Sequence, residues 1–215
     1  NKYKILLIKP NLRVGGSLTN LWQTNLPGSA VPVYLIEHKF FNGREIYSTP
    51  LADDPGDSNK YIFFARAILE SLKALNFKPD IIHLNDWHTA TVAELLKTDY
   101  KNDEFFKKIK TLYTIHNLAN QGPAGLKNYM AEGILSSDLV NTVSPTYAKE
   151  ILTKEYGAGL ENILLKKKKR LYGVLNGIDT DFFNPQTDKF IKNNYSADTL
   201  EKKAADKEAL RSRLG

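Results

Sequence analysis

Short apolar runs alternate with segments of helical spacing along most of this chain. The runs that predict strands are Tyr3–Ile8, Val31–Glu37, Ile81–Leu84, Lys110–Ile115, Leu139–Val143 and Leu171–Leu175. Helical spacing occurs over Asn59–Leu75 and Thr89–Leu96, and Ser144 before Pro145 is a favourable start for another helix. Continuously apolar strands that alternate with helices predict an α/β fold, with a parallel sheet and helices on both of its faces. Tyr3–Ile8 is expected to be a fully buried strand of that sheet.

The last part of the chain differs in composition from the rest. After Pro185 the residues are polar and charged, and helical spacing recurs only over Leu200–Leu214. We therefore assign residues 1–188 to one domain and residues 189–215 to a C-terminal tail. The tail either folds back on the domain or leads towards another domain. We favour the latter interpretation because the chain stops at Leu214-Gly215 without a strand or helix that would complete the first domain.

Composition narrows the class of protein without identifying a function. The chain has 215 residues, 42% of them hydrophobic, and a net charge of +6, which is enough chain to bury a core. The dense basic run, Lys166–Arg170, is typical of a solvated helix end or loop rather than of a nucleic-acid or membrane patch. The absence of cysteine excludes disulfides, thiolate metal sites and a cysteine nucleophile. No apolar run is long enough to cross a bilayer, so we expect a soluble protein without nucleic-acid or membrane partners.

Polar clusters directly follow four of the predicted strands. They are His83 to His88, Thr114 to Asn117, Asn141 to Ser144, and Leu175 to Asp179. The carboxyl ends of parallel strands lie at one edge of a sheet, and ligands bind there. The clusters therefore predict a single polar rim that recognises a ligand.

Residues of the first cluster have both a functional and a structural interpretation. Asp86 is a candidate acceptor for sugar hydroxyls, and Trp87 offers a flat apolar surface for a sugar ring. Alternatively, Asn85 or Asp86 caps the following helix and Trp87 packs in the core. We favour function for Asp86 and core packing for Trp87. The histidines of this cluster do not match a known zinc spacing, so we expect no metal.

The remaining clusters carry neutral groups that could bind hydroxyls. His116 alone is more often structural than catalytic, but Asn117 and Gln121 add amides beside it. Asn176 and Gly177 form a turn dipeptide, which is either only a tight turn or a place where a ligand approaches the backbone. There is no P-loop and no nucleophile elbow. The chemistry is therefore expected to be polar recognition rather than nucleophilic attack by a side chain.

Taken in order, the four motifs resemble those of bacterial glycogen synthases and plant starch synthases. The similar segments are residues 83–89, 114–122, 138–148 and 172–179, with further similarity at 27–29, 31–36 and 194–197. The resemblance implies the N-terminal domain of a GT-B glycosyltransferase, in which two Rossmann-like domains flank the active site. It also implies retaining transfer of glucose from ADP-glucose, or UDP-glucose in some members, to an α-1,4-glucan, without a metal or other cofactor.

The same resemblance implies roles for individual residues. His116 would lie against the donor glucose, with its backbone carbonyl near the developing positive charge, and Asp86 would bind sugar hydroxyls near the acceptor. These two are the candidate catalytic residues. Asn176 would bind the donor sugar. The other candidate substrate-binding residues are Asn117, Gln121, His88, Trp87, Ser144 and Tyr147.

Three departures from the family pattern affect these expectations. The family's Lys-x-Gly-Gly-Leu loop, which binds donor phosphate and acceptor, is missing near Ile8, and we interpret Gly15-Gly16 as part of a later segment. A second stretch is missing after Gly122. The C-terminal domain, with its diphosphate-binding arginine and lysine, is absent, so the chain alone is expected to be inactive.

Two other functions stay open at this point. One is a non-catalytic carbohydrate-binding module with the same fold, and the other is a different two-domain glycosyltransferase with another acceptor. The chain has no transit-like segment, and a cytoplasmic location is therefore expected.

Overall fold

A computed structural model of the chain describes residues 4–42, 56–123, 125 and 127–215. The chain forms two compact units, Asn1–Leu175 and Asn176–Gly215. No helix among the described residues is long and apolar enough to span a bilayer. The assignment of residues 189–215 to a tail that leads towards a further domain stays a prediction.

The first unit contains the strands and most of the helices. Its strands are β1 (Leu6–Val14), β2 (Ser17–Asn25), β3 (Pro32–Glu37), β4 (Ile81–Asn85), β5 (Lys110–Ile115), β6 (Leu139–Thr142) and β7 (Leu171–Gly173). Its α-helices are α1 (Gly56–Ala74), α2 (Asp86–Lys97), α3 (Tyr129–Ser136), α4 (Tyr147–Glu150) and α5 (Glu161–Lys166). The second unit contains α6 (Lys203–Leu214), which follows a 3-10 segment at Ala197–Lys202.

A parallel sheet of strand order β4-β5-β6-β7 confirms the predicted α/β fold. Its buried side chains include Leu84, Tyr113 and Val140, which join one core cluster with residues of α1, α2, α3 and α5. Because the strands are parallel, the loops that follow β4, β5 and β6 leave the same edge of the sheet. The structure thus brings the polar clusters after these strands to a common rim, which we call the rim of the parallel sheet.

The helices that share this core cover one face of the parallel sheet, whereas helices were expected on both. On the other face, Ile81, Leu139 and Tyr172 are 60%, 42% and 55% exposed within the part of the chain that the structure describes. Burial in β4 alternates accordingly, since Ile82 and Leu84 are buried and their neighbours are exposed. Such alternation is typical of a strand with one covered face.

A second sheet, of strand order β1-β2-β3, is antiparallel. The prediction of a fully buried strand at Tyr3–Ile8 was therefore wrong: β1 begins at Leu6, and Leu6 is 48% exposed; Tyr3 lies outside the described residues. Strand β2 was not predicted. Gly15 and Gly16 form the two-residue turn between β1 and β2, and Gly15 has φ +58°, a conformation that this turn requires and that glycine adopts freely.

Helix α1 packs against both sheets of the first unit. Phe63 and Ala67 form a small cluster with Leu12 and Val14 of β1. Other residues of the same helix, among them Leu69, belong to the core of the parallel sheet. The predicted helix over 59–75 is thus confirmed, and its two apolar sides explain its long apolar pattern.

Candidate functional site

Asp86 and His116 lie together at the rim of the parallel sheet. The backbone N–H of His116 donates a hydrogen bond to Oδ1 of Asp86 at 2.8 Å. The imidazole Nε2 of His116 lies 3.0 Å from Oδ1 of Asn85. Asp86 directly follows β4 and His116 directly follows β5, and these two strands pair with Asn85 opposite Thr114. The two candidate catalytic residues therefore hold each other in place.

The backbone at Asp86 is in the left-handed region, with φ +53°. A residue with a side chain adopts this region at some cost, although Asp and Asn tolerate it better than most. The expected alternative, capping of α2, is not what the structure shows. Asn85 occupies the N-cap position without a side-chain cap bond, and the Asp86 carboxylate is turned to His116 instead.

Thr89 stabilises the start of α2 in place of a side-chain cap. Its hydroxyl Oγ1 lies 2.7 Å from the backbone nitrogen of Asn85, which donates to it, and 3.0 Å from the Asn85 carbonyl oxygen. The carboxamide of Asn85 is thereby left for His116. Neither the Asn85 nor the Asp86 side chain therefore caps the N-terminus of α2.

Trp87 and His88 are part of an aromatic cluster at the first turn of α2. Trp87 is 6% exposed and belongs to the core. The His88 ring stacks on it at 4.1 Å between centroids, and Tyr61 meets it edge-on at 4.7 Å. Trp87 has little surface left for a sugar ring, in agreement with the structural interpretation.

Gln121, Ser144 and Tyr147 support the loops of the rim. The Gln121 amide donates to the Ala158 carbonyl at 2.9 Å and accepts from the Asn128 side chain. The Tyr147 hydroxyl accepts from a backbone N–H of the loop after β5 at 3.3 Å, and Ser144 Oγ accepts from the Tyr147 N–H at 3.2 Å. These three residues order the loops that carry the rim.

Asn117 and Asn176 are both exposed. The Asn117 side chain accepts the N–H of Ala119 at 3.0 Å and so closes a short turn next to His116. Asn176 is the first residue of the second unit. Of the candidate substrate-binding residues, Asn117 therefore presents the most accessible polar group beside the pair Asp86 and His116.

A polar row crosses the less covered face of the parallel sheet, and it consists of the first residues of three predicted polar clusters, none of which was assigned an individual role. The His83 ring nitrogen Nε2 lies 2.6 Å from Oγ1 of Thr114, whose hydroxyl also bonds Asn141. Each of these residues is polar within an otherwise apolar strand, and this signal could have identified them. They connect β4, β5 and β6 just before the rim.

Tyr113 lies directly beneath the rim. Its ring is fully buried, and its hydroxyl bonds Sδ of Met130 at 3.1 Å. Burial, and after it the negative charge of Asp86, raises the pKa of Tyr113 above its usual value. The phenol therefore stays protonated. The described residues contain no group of three or more side chains suited to hold a metal ion.

Comparison with known proteins identifies relatives over nearly the whole chain. Residues 3–166 match the family of starch synthase catalytic domains. The chain is 41% identical to the glycogen synthase of Thermosipho africanus, over 99% of this chain and 48% of that protein. It is 43% identical to glycogen synthase 2 of Geobacter sulfurreducens, over 86% of this chain and 43% of that protein. The chain thus spans about half the length of these relatives.

A solved structure is similar as well. The catalytic domain of starch synthase IV from Arabidopsis thaliana, bound to ADP and acarbose, matches with a TM-score of 0.78 and 33% identity, over the whole chain and 49% of that structure. This match confirms the predicted Rossmann-like, GT-B type of fold. The alignment with the Thermosipho protein covers 240 positions, more than the 215 residues present here, so that relative has residues without a counterpart in this chain. The chain belongs to the family of starch synthase catalytic domains.

Proposed function

We propose that this chain is the N-terminal domain of a retaining glucosyltransferase that elongates α-1,4-glucan with glucose from ADP-glucose. The observation that carries the proposal is the hydrogen bond from the His116 N–H to the Asp86 carboxylate at the rim. It occurs in a chain whose relatives are named glycogen synthases. The solved relative bound to ADP and acarbose supports a nucleotide-linked donor and a sugar acceptor.

The pair suits a reaction in which positive charge develops on a sugar ring. The bond to Asp86 fixes the backbone at His116, and Asn85 fixes its ring. A carbonyl dipole that is held rigidly beside the developing charge stabilises it without reorganisation. We assign this role to the His116 carbonyl, and binding of sugar hydroxyls to Asp86 and Asn117. Asn176 would contact the donor sugar.

The proposal requires no metal or other cofactor. Fixed dipoles at the rim act on the sugar, and the diphosphate charge of ADP-glucose would be neutralised by the second domain of the full-length protein. That domain is the required partner, and the chain alone is inactive. We place the enzyme in the cytoplasm, without nucleic-acid or membrane partners.

The experiment measures transfer of labelled glucose from ADP-glucose to glycogen. The chain is assayed alone and with a separately produced C-terminal half, and the full-length enzyme serves as reference. Transfer is expected only when both halves are present. In the full-length enzyme, His116→Ala removes the ring that Asn85 holds and so loosens the loop that carries the carbonyl, and Asp86→Asn removes the carboxylate assigned to the sugar hydroxyls. Each should lower kcat by about a hundredfold or more. Asp99→Asn, which removes an exposed carboxylate bound to Arg66, is the matched control and should be neutral.

Two results would overturn the proposal in different ways. Robust turnover by the 215-residue chain alone would refute its inactivity. Unchanged transfer in both rim variants would instead favour a non-catalytic carbohydrate-binding module. A screen with UDP-glucose and with other acceptors decides the donor and excludes or establishes a different two-domain glycosyltransferase.

A further inference from the structure

The outer face of the antiparallel sheet carries an exposed apolar row. Leu7, Trp22 and Leu35 are direct cross-strand neighbours on β1, β2 and β3. Leu7 and Leu35 are 44% and 40% exposed, and Trp22 is half-buried. The opposite face of β2 is the covered one, since Leu21 is fully buried. A sheet face turned to water is normally polar, so an exposed row with an aromatic ring at its centre marks a binding surface.

Hydrogen bonds fix the Trp22 ring in its orientation. The indole Nε1–H donates to Oε2 of Glu37 at 2.7 Å, and the Asn20 side-chain amide donates to the same oxygen at 2.9 Å. The Asn20 carbonyl oxygen accepts the backbone N–H of Asn11 at 3.1 Å. The bonds from Asn20 and Trp22 hold the pKa of Glu37 below its usual value. The ring is therefore preorganised beside a charged acceptor.

A polar cleft continues from this carboxylate along the same edge of the sheet. It has a volume of about 330 Å³ and is lined by Asn11, Asn20, Glu37, Lys39 and Asn42, among others. That volume is at the lower end of small-molecule sites in proteins. Its lining combines amides, a carboxylate and an ammonium group, which together can donate to and accept from several hydroxyls.

We propose that Trp22 and this cleft form a second glucan-binding site, on a different sheet from the rim with Asp86 and His116. A pyranose ring has an apolar face, which stacks on a flat aromatic ring, and a rim of hydroxyls, which needs planar donors and acceptors. Trp22 supplies the flat aromatic ring, and Asn20 and Glu37 supply the planar donor and acceptor groups. The identity of the ligand as an α-1,4-glucan rests on the proposed function. A polymer held at this site would raise the local concentration of chain ends at the rim.

The test measures binding of glycogen and maltoheptaose to the 215-residue chain by affinity electrophoresis and calorimetry. Trp22→Ala should weaken glycogen binding by about tenfold, which is typical of an aromatic anchor. Tyr34→Ala is the matched control, because Tyr34 is 39% exposed on the same sheet but pairs with Gln23 on the opposite face. It should bind as the unmodified chain does. Trp22→Phe retains a ring and should recover part of the affinity.

Circular dichroism and thermal unfolding establish that each variant is folded before binding is compared. The proposal is overturned if Trp22→Ala binds glycogen as tightly as the unmodified chain, or if Tyr34→Ala is equally impaired. It is also overturned if Trp22→Ala only abolishes self-association, since the face would then join two copies of the chain. Glucan binding that is lost in His116→Ala but kept in Trp22→Ala would leave the proposed function standing without the second site. Weaker binding in Trp22→Ala, with no glucose transfer by the full-length enzyme, would support the site and refute the proposed function.

Discussion

A comparison of Asp86→Ala with Asp86→Gly separates the backbone cost at this residue from the contribution of its carboxylate. Both substitutions remove the acceptor of the His116 N–H bond at 2.8 Å. They differ in the backbone, because φ at this position is +53°. Glycine adopts that conformation freely, whereas alanine in the left-handed region costs about 1–2 kcal/mol.

The contacts at Asp86 set the expected size of both effects. A hydrogen bond to a charged acceptor contributes about 1.5–3 kcal/mol, and the lower end applies here because His116 is exposed and water can replace the acceptor. We therefore expect Asp86→Ala to lose about 2–3 kcal/mol of unfolding free energy and Asp86→Gly about 1–2 kcal/mol. Asp86→Asn keeps an acceptor oxygen and tolerates the left-handed backbone, so its loss should stay below about 1 kcal/mol.

Urea unfolding of the chain, followed by tryptophan fluorescence, measures the three free energies. Trp87 follows Asp86 directly and is buried, so its emission reports unfolding of this region; a Trp22→Phe background removes the other tryptophan. Equal stability of the Ala and Gly variants would refute the argument from backbone strain. Stability of the Asn variant as low as that of Ala would refute the argument from the hydrogen bond. In the full-length enzyme all three should lose transfer, so that activity does not follow stability.

Three further predictions concern the core of the first unit. Gly133→Ala should destabilise by about 1–3 kcal/mol in thermal unfolding, because a Cβ there would lie 2.6 Å from the Tyr113 ring; an unchanged Tm would contradict the packing. Burial tends to raise the pKa of Asp138, but hydrogen bonds from Thr111 outweigh it and hold the pKa below its usual value. Its stabilisation is thus present above about pH 4 and lost as the pH falls through the lower folded value, so Asp138→Asn should flatten the acid limb of a stability–pH curve. Thr142 is fully buried and its hydroxyl has no partner among the described residues. Thr142→Val should therefore raise the unfolding free energy by about 1 kcal/mol, and a lower unfolding free energy would show that the hydroxyl is hydrogen-bonded in the folded protein.

The sequence is most informative where strands are apolar and their ends are polar. The prediction for Lys110–Ile115 coincides with β5, and that for Ile81–Leu84 differs from β4 by one residue. Burial of alternate or successive apolar residues determines both, and it needs no knowledge of the rest of the fold. The position of Asp86 next to His116 follows from the same pattern, because both come directly after neighbouring parallel strands.

The antiparallel sheet was not predicted, because its strands do not carry that signal. Strand β1 contains Lys9, Pro10 and Asn11 in its middle, and Asn11 has φ +53°. Its pairing with β2 shifts register on both sides of Lys9. An irregular strand of this kind has no clear period of two, so only the turn at Gly15-Gly16 could have indicated the hairpin. These glycines were assigned to a segment that follows the family's Lys-x-Gly-Gly-Leu loop, and no hairpin was predicted there.

The conformation of Asp86 could not be predicted from sequence either, and it is the structural observation that most favours the function proposed for this residue. A polar residue at the start of a helix gains stability by capping it, and a regular backbone costs nothing. This strand end has neither a side-chain cap nor a regular backbone, since Asn85 makes no cap bond and Asp86 lies in the left-handed region. Instead, the Asp86 carboxylate and the Asn85 carboxamide are both directed to His116. Strain that orients polar groups at the carboxyl edge of a parallel sheet is expected where a ligand binds, and the next residue, Trp87, is packed between Tyr61 and His88 in a buried aromatic cluster.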